Sequence, residues 1–216
     1  SACRRLAAPD AGRVIRAVVS AAAALVAAAE ASAVVAVVSE VAAPRAAGRQ
    51  SPMLQRCFRH LTTTHFTLRR CFPTNVLNAI DAAITASEQA HQAEIRFAVE
   101  TALPLFHLWR GVSGKERARE IFSRLGMGDT AARNGILVYV LLAERDIEIV
   151  ADHGFANKVG ERVWEDICST MTAAFRSGDY GAGCLQAIGR LGELAVAHFP
   201  TGADNRNELP NRPVLL

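Results

Sequence analysis

Asp129, Asn134 and Asp152 are the side chains whose types and spacing best suit ligand chemistry in this sequence. They bracket one stretch, DTAARNGILVYVLLAERDIEIVADHG, running from Asp129 to Gly154. It reads as a loop with an acid, an Asn-Gly step, a wholly apolar strand, a polar turn at Glu144-Arg145, a second strand and a closing Asp-His-Gly. Folded so, it carries both aspartates and the asparagine to one rim of a buried sheet. Calcium and magnesium take carboxylate, amide and backbone carbonyl oxygens, and Glu148 and Glu94 are further candidates to supply one. Each residue also has an ordinary local reading. Asp129 can cap a turn with Thr130, Asn134 can take the left-handed geometry before Gly135, and Asp152 can cap a short helix beginning near His153.

No catalytic residue is assigned. His153 beside Asp152 invites an acid–base reading, but a general base needs a defined partner and no nucleophile accompanies it, so a surface or cap role fits better. His60, His65, His91, His107 and His198 form no ligand pair at helical spacing. There is no GxSxG, and no cysteine opens a glycine-rich helix. The five cysteines are odd in number and lack any CxxC, which argues against zinc. Cys168 and Cys184 fall on apolar helix faces and read as reduced core residues. Gly126-Met127-Gly128 is too short for a phosphate cradle.

The elements that must position these residues follow from periodicity. Pro73 and Thr74 open a helix, with the threonine hydroxyl as a cap and Leu77, Ile80 and Ile84 as its stripe. Glu94 to Thr101 alternates, with Ile95, Phe97 and Val99 on one face, and is expected as a strand. Leu103 to Gly114 is apolar but irregular and is expected as a short strand or loop. Ser113 caps a helix over Lys115 to Leu125. Gly135 to Ala143 is apolar on both faces, so it is expected at the sheet centre, and Asp146 to Asp152 completes a hairpin with it. Helices follow over Glu161 to Ser177 and from Asp179 to just before Pro200, where Gly189 and Gly192 allow close packing on a neighbour. Helices covering the sheet are the simplest way to bury both faces of its central strand.

Outside the 73–200 region the chain changes character. Residues 53–72 hold Arg56, Arg59, Arg69 and Arg70 and no acid, and read as a basic amphipathic lead segment. It is expected to pack Phe58, Leu61, Phe66 and Leu68 on the domain; the alternative is contact with an anionic membrane surface. Nucleic acid is not expected, because a net charge of +3 is too small to argue for it. Residues 1–52 are Ala/Val-rich. Glycine codons read out of frame give Ala, Val and Glu among others, so the expectation is a disordered extension or an over-extended reading frame with Met53 as the start. A signal or membrane anchor fits less well, since alanine contributes little transfer energy and Glu30 and Glu40 interrupt the run. Residues 201–216 are expected as an extended tail.

The element order and the strings AEIRFAVETALP, RAREIFSRLGMGDTAARNGILVYVLLAERDIEIVADHG and FRSGDYGAGCLQAIGRLGELAVAHFP, with the closing NELPNRPVLL, resemble the TPM domain family. Its members include a thylakoid-lumen phosphatase, a photosystem-repair protein, a receptor modulator and many bacterial proteins. The Asn-Gly-apolar-strand step followed by the charged turn carries most of the likeness, which spans about Pro73 to Pro200. It resembles a bacterial subgroup without the secretory leader or the Gly-rich anchored C-terminus, so the cytoplasm is the expected compartment, with membrane association as the variant. The resemblance implies an α/β class fold, a three-layer α/β/α sandwich around a small mostly parallel sheet containing one hairpin. It also implies a divalent-metal site, calcium in some members, and weak acid phosphatase activity in a few; Asp129, Asn134 and Asp152 are the string-matched positions. Two functions stay open. One is a metal-dependent phosphatase. The preferred one is a non-catalytic module that binds or assembles an unidentified, membrane-associated protein partner, because a phosphatase needs a nucleophile or two metals and neither is spelled out.

Overall fold

The wholly apolar run Ile136–Leu141 forms β2, and all of it is buried. It lies inside a four-stranded sheet of order β3-β2-β1-β4. Strand β1 (Ile95–Glu100) runs parallel to β2, from Ile95 opposite Ile136 to Glu100 opposite Leu141. Strand β3 (Asp146–Ala151) returns antiparallel along the other side of β2, which makes the hairpin. The computed structural model describes residues 52–156, 158–201 and 207–216, so the readings of residues 1–51 lie outside it.

The closing segment does more than trail. Val214–Leu215 forms β4, parallel to β1, with Val214 opposite Ala98 and Leu215 opposite Val99. Leu216 N–H donates to Val99 O at 2.9 Å. Without it, β1 would present unpaired amides and carbonyls along a sheet edge.

Helices cover both faces. On one side α3 (Thr74–Glu88), α7 (Glu161–Arg176) and α8 (Tyr180–His198) pack on Ile95, Phe97, Val99, Ile136, Val138 and Val140. On the other, α4 (Leu105–Trp109), α5 (Gly114–Arg124) and a 3-10 turn (Met127–Asp129) cover Ala98, Leu137, Tyr139 and Leu141. The result is an α/β sandwich in three layers, with the mixed sheet in the middle. Two further short helices, α1 (Pro52–Thr62) and α2 (His65–Cys71), come from the basic lead segment. Another, α6 (His153–Ala156), follows β3.

The local signals act largely as expected. Ser113 and Glu116 form a capping box at α5, with Glu116 N–H donating to Ser113 Oγ at 3.2 Å and Ser113 N–H to Glu116 Oε2 at 2.8 Å. Asp179 caps α8 by accepting from Ala182 N–H at 3.1 Å. Gly192 lets α8 approach α3, since a Cβ there would strike Ser87 Oγ.

Three expectations change, and β1 is more deeply buried than its alternation alone implies. Leu103 to Gly114 contains a helix, not a strand: Pro104 pre-sets its start and Leu108 anchors it in the core. Pro73 is the N-cap of α3, and Thr74 makes no side-chain cap bond. The second face of β1 is buried too: Arg96 and Glu100 are 7% and 3% exposed, and Glu100 lies under Arg117 of α5. Of the apolar residues expected to pack from the lead segment, Leu68 does, while Phe58, Leu61 and Phe66 stand in solvent.

Candidate functional site

The loop entering β2 and the end of β3 meet at one rim. Asp152 N–H donates to Gly135 O at 2.9 Å, and Gly154 N–H to Arg133 O at 2.8 Å. Gly154 is needed for this approach, because a Cβ would collide with Arg133 O and the Phe199 ring. Asn134 is 2% exposed, and its Nδ2 donates to Gln92 O at 2.6 Å, which leaves its side-chain oxygen outside that bond. The left-handed residue of the loop is Arg133, at φ 50°, and not Asn134. The rim therefore holds Asn134 and Asp152 on neighbouring strand ends.

Asp152 is 5% exposed. Its Oδ1 accepts from His153 N–H at 2.7 Å and lies 3.0 Å from His153 Nδ1. Its Oδ2 is buried and has no hydrogen-bond partner among the described residues. An unmet buried carboxylate oxygen is costly, so the site suits a further donor or a cation. The His153 ring points outward, its side chain 89% exposed. Asp129 sits exposed on the 3-10 turn and makes no side-chain bond to Asn134 or Asp152. Among the described residues, no three His, Cys, Asp or Glu side chains converge on one point. The donors fit a hard divalent ion in kind, with one unmet carboxylate oxygen and one amide oxygen at the rim.

Asp152 also borders a groove of about 450 Å³ along the β3 edge and α7. Its walls mix Phe155, Val159 and Trp164 with Glu148, Glu161 and Lys115. Burial raises the Glu148 carboxyl, and Asp146 adds to the rise. Cys168 lines the same groove, but burial pushes its thiol up to about 11, so it is no thiolate nucleophile at neutral pH.

Glu94, a further oxygen donor on sequence grounds, has another task. It accepts from Glu208 N–H at 3.0 Å and Leu209 N–H at 3.3 Å, and so holds the tail that becomes β4. Beside it, burial pushes Glu88 up to about 8, although Ile95 N–H donates to its Oε1 at 3.0 Å. The two carboxylates, with Thr85, His91, Asn207 and Asn211, line a cavity of about 190 Å³. Burial lowers His91 to about 4.

Two charged anchors went unread in the sequence. The first lies under α5. Glu100 accepts from Arg117 Nε at 2.9 Å, Arg117 Nη2 at 2.8 Å and Tyr139 O–H at 2.6 Å. A strand with charges at Glu94, Arg96 and Glu100 on the face opposite its apolar one was the available signal. The second anchor holds α1. Glu144, in the hairpin turn, accepts from Arg56 Nε at 2.6 Å and lies 2.9 Å from His60 Nε2. Arg56 Nη2 also donates to Val112 O at 2.6 Å, and His60 Nδ1 accepts from Leu103 N–H at 2.9 Å. Burial raises the Glu144 carboxyl, but the bonds from Arg56 and His60 outweigh it and hold it below the usual range.

The consequence is an inverted helix. Helix α1 is tied down by its polar side, and Leu54, Phe58 and Leu61, spaced i, i+4, i+7, face solvent. Phe58 is 68% and Leu61 66% exposed. Helix α4, which packs on α1, adds Leu105, Phe106 and Trp109, the last 79% exposed. Among the described residues no helix is long and apolar enough to cross a membrane.

Comparison with known proteins agrees with this architecture. The family profile described as the TPM domain matches residues 71–194. Among solved structures, the chain is similar to the BA42 protein from the psychrophilic bacterium Bizionia argentinensis, solved by NMR. The two share 26% identity at a TM-score of 0.58, over 65% of this chain and 92% of that one. No curated protein matches.

Proposed function

This chain belongs to the TPM domain family, and from that premise we propose that it acts as a non-catalytic interaction module, holding a partner on the outer face of α1 and α4. One observation carries the reading: α1 is fastened through Arg56 and His60 to Glu144, while its apolar side is left in solvent. A helix folded for the stability of its own domain buries the apolar stripe. Large apolar side chains gathered on one exposed surface mark a site of association. Cys168 and Cys184 offer no competing thiolate chemistry, since burial raises both thiols.

A second reading, a weak metal-dependent phosphatase, is favoured by the unmet Asp152 Oδ2 at the mouth of the groove. Asp152 and Asn134 would hold calcium or magnesium, with Asp129 as a third donor. A bound ion would supply Lewis-acid polarisation of a phosphoryl oxygen. On the preferred reading an ion held at the same rim would steady the β2 and β3 ends without turnover.

The two readings separate in one experiment. Calcium titration calorimetry and phosphomonoester hydrolysis are measured on wild type and Asp152→Asn. The module reading expects no hydrolysis above background in either protein, whether or not calcium binds. Metal-dependent turnover by wild type that Asp152→Asn abolishes overturns it.

A further inference from the structure

We propose that α1, α2 and α4 form a docking surface for an anionic lipid bilayer, with the protein lying on the membrane and not spanning it. This rests on the module reading above and names the partner class. The apolar side chains are presented outward on three short helices, with Phe58, Phe66 and Trp109 each more than half exposed. Aromatic and leucine side chains on the free side of an amphipathic helix enter the headgroup boundary.

Charge selects the occupant. Arg59 of α1, Arg69 and Arg70 of α2 and Arg110 at the end of α4 are all exposed. No Asp or Glu occurs between Pro52 and Ile80, or between Thr101 and Lys115. Arg110 leans over the Phe106 ring at 5.4 Å, so cation and aromatic share one spot. Arg56 and His60 are spent inward on Glu144 and leave this set. A second copy of the chain seated face to face is a poor occupant, because it would bring two sets of arginines together while the nearby Glu120 and Glu144 are already engaged by Arg117 and by Arg56 and His60. An extended negative surface suits them all at once, and cations near such a surface gain from its potential.

The test is flotation of the full chain with phosphatidylcholine vesicles and with phosphatidylglycerol-containing ones, read alongside Trp109 emission. Wild type should float with the anionic vesicles, with a blue-shifted emission, and stay behind with neutral ones. Each arginine near the surface is worth about fivefold in partitioning, so Arg69→Glu/Arg70→Glu should weaken binding about 25-fold or more. Raising salt from about 0.1 M to 1 M should release the protein, as the screening length shrinks from about 10 Å to 3 Å. Phe58→Asp/Leu61→Asp should abolish flotation while keeping the thermal melt, since both side chains are exposed. Equal binding to both vesicle types, or none to either, overturns the lipid proposal. If vesicles are ignored but Phe58→Asp/Leu61→Asp changes the sedimentation coefficient, the face is covered by protein: the lipid proposal falls and the module reading stands. If neither changes, both fall.

Discussion

Replacing Arg117 by methionine should cost this protein more than any surface change. Side-chain exposure at Arg117 and Glu100 is 5% and 4%. The Glu100 carboxylate takes three donors, two from Arg117 and one from Tyr139. Hydrogen bonds to Glu100 and Glu120 hold the Arg117 guanidinium above its ordinary pKa, against the burial that lowers it. Arg117→Met leaves the carboxylate buried with the tyrosine alone. Removing one member of a buried pair costs about 3–5 kcal/mol, because the remaining charge is uncompensated. The lost bridge to the half-exposed Glu120 adds little. At about 2–4 °C per kcal/mol for a chain of this size, the melting temperature should fall on the order of 10 °C. Urea unfolding followed by circular dichroism measures the free-energy loss, and a thermal scan the shift in melting temperature. Glu100→Leu/Arg117→Met removes both charges and should recover most of the loss, apart from about 1–3 kcal/mol for the stranded Tyr139 hydroxyl. Adding Tyr139→Phe should return that too. A single-variant loss below about 1 kcal/mol, or a double variant as unstable as the sum of the singles, would refute the reasoning.

Stability should also fall as pH rises from about 4.5 to 8. Burial raises Glu88 from 4.5 to about 8, so the folded form keeps a proton that the unfolded chain has released. The resulting stability is full below about pH 4.5 and is lost as pH rises to 8. Glu94 and Arg96 lie near, and His91 titrates lower, at about 4. Glu88→Gln should therefore flatten the melting temperature between about pH 5 and 8, and an unchanged slope would count against the assignment. Gly154→Ala should destabilise by about 1–3 kcal/mol in chemical denaturation, because its Cβ meets Arg133 O and the Phe199 ring; a neutral result would mean that the rim can part cheaply.

Much of this protein was legible from period and punctuation alone. The two-faced apolar run over Ile136–Leu141 demands a central strand, whatever lies around it. The Ser113 and Asp179 caps announce α5 and α8 because their bonds lie within three residues. The family likeness rests on such local strings, and its span nearly coincides with the matched 71–194. Asn134 and Asp152 reach one rim because hairpin register is set by a short turn and an apolar pattern.

What spacing cannot reveal is which face of an element another element will cover. Alternation puts Arg96 and Glu100 on the face of β1 opposite Ile95, Phe97 and Val99 but does not say whether a helix covers it, and Glu100 finds Arg117 seventeen positions away. Phe58 and Leu61 read as the inward side of α1. The periodicity is the same whether the stripe faces in or out, and only the distant Glu144, 88 positions from Arg56, turns the helix over. Composition and local bonds follow from the order of residues. Long-range ion pairs decide which side meets solvent, because their strength depends on burial that no short window contains.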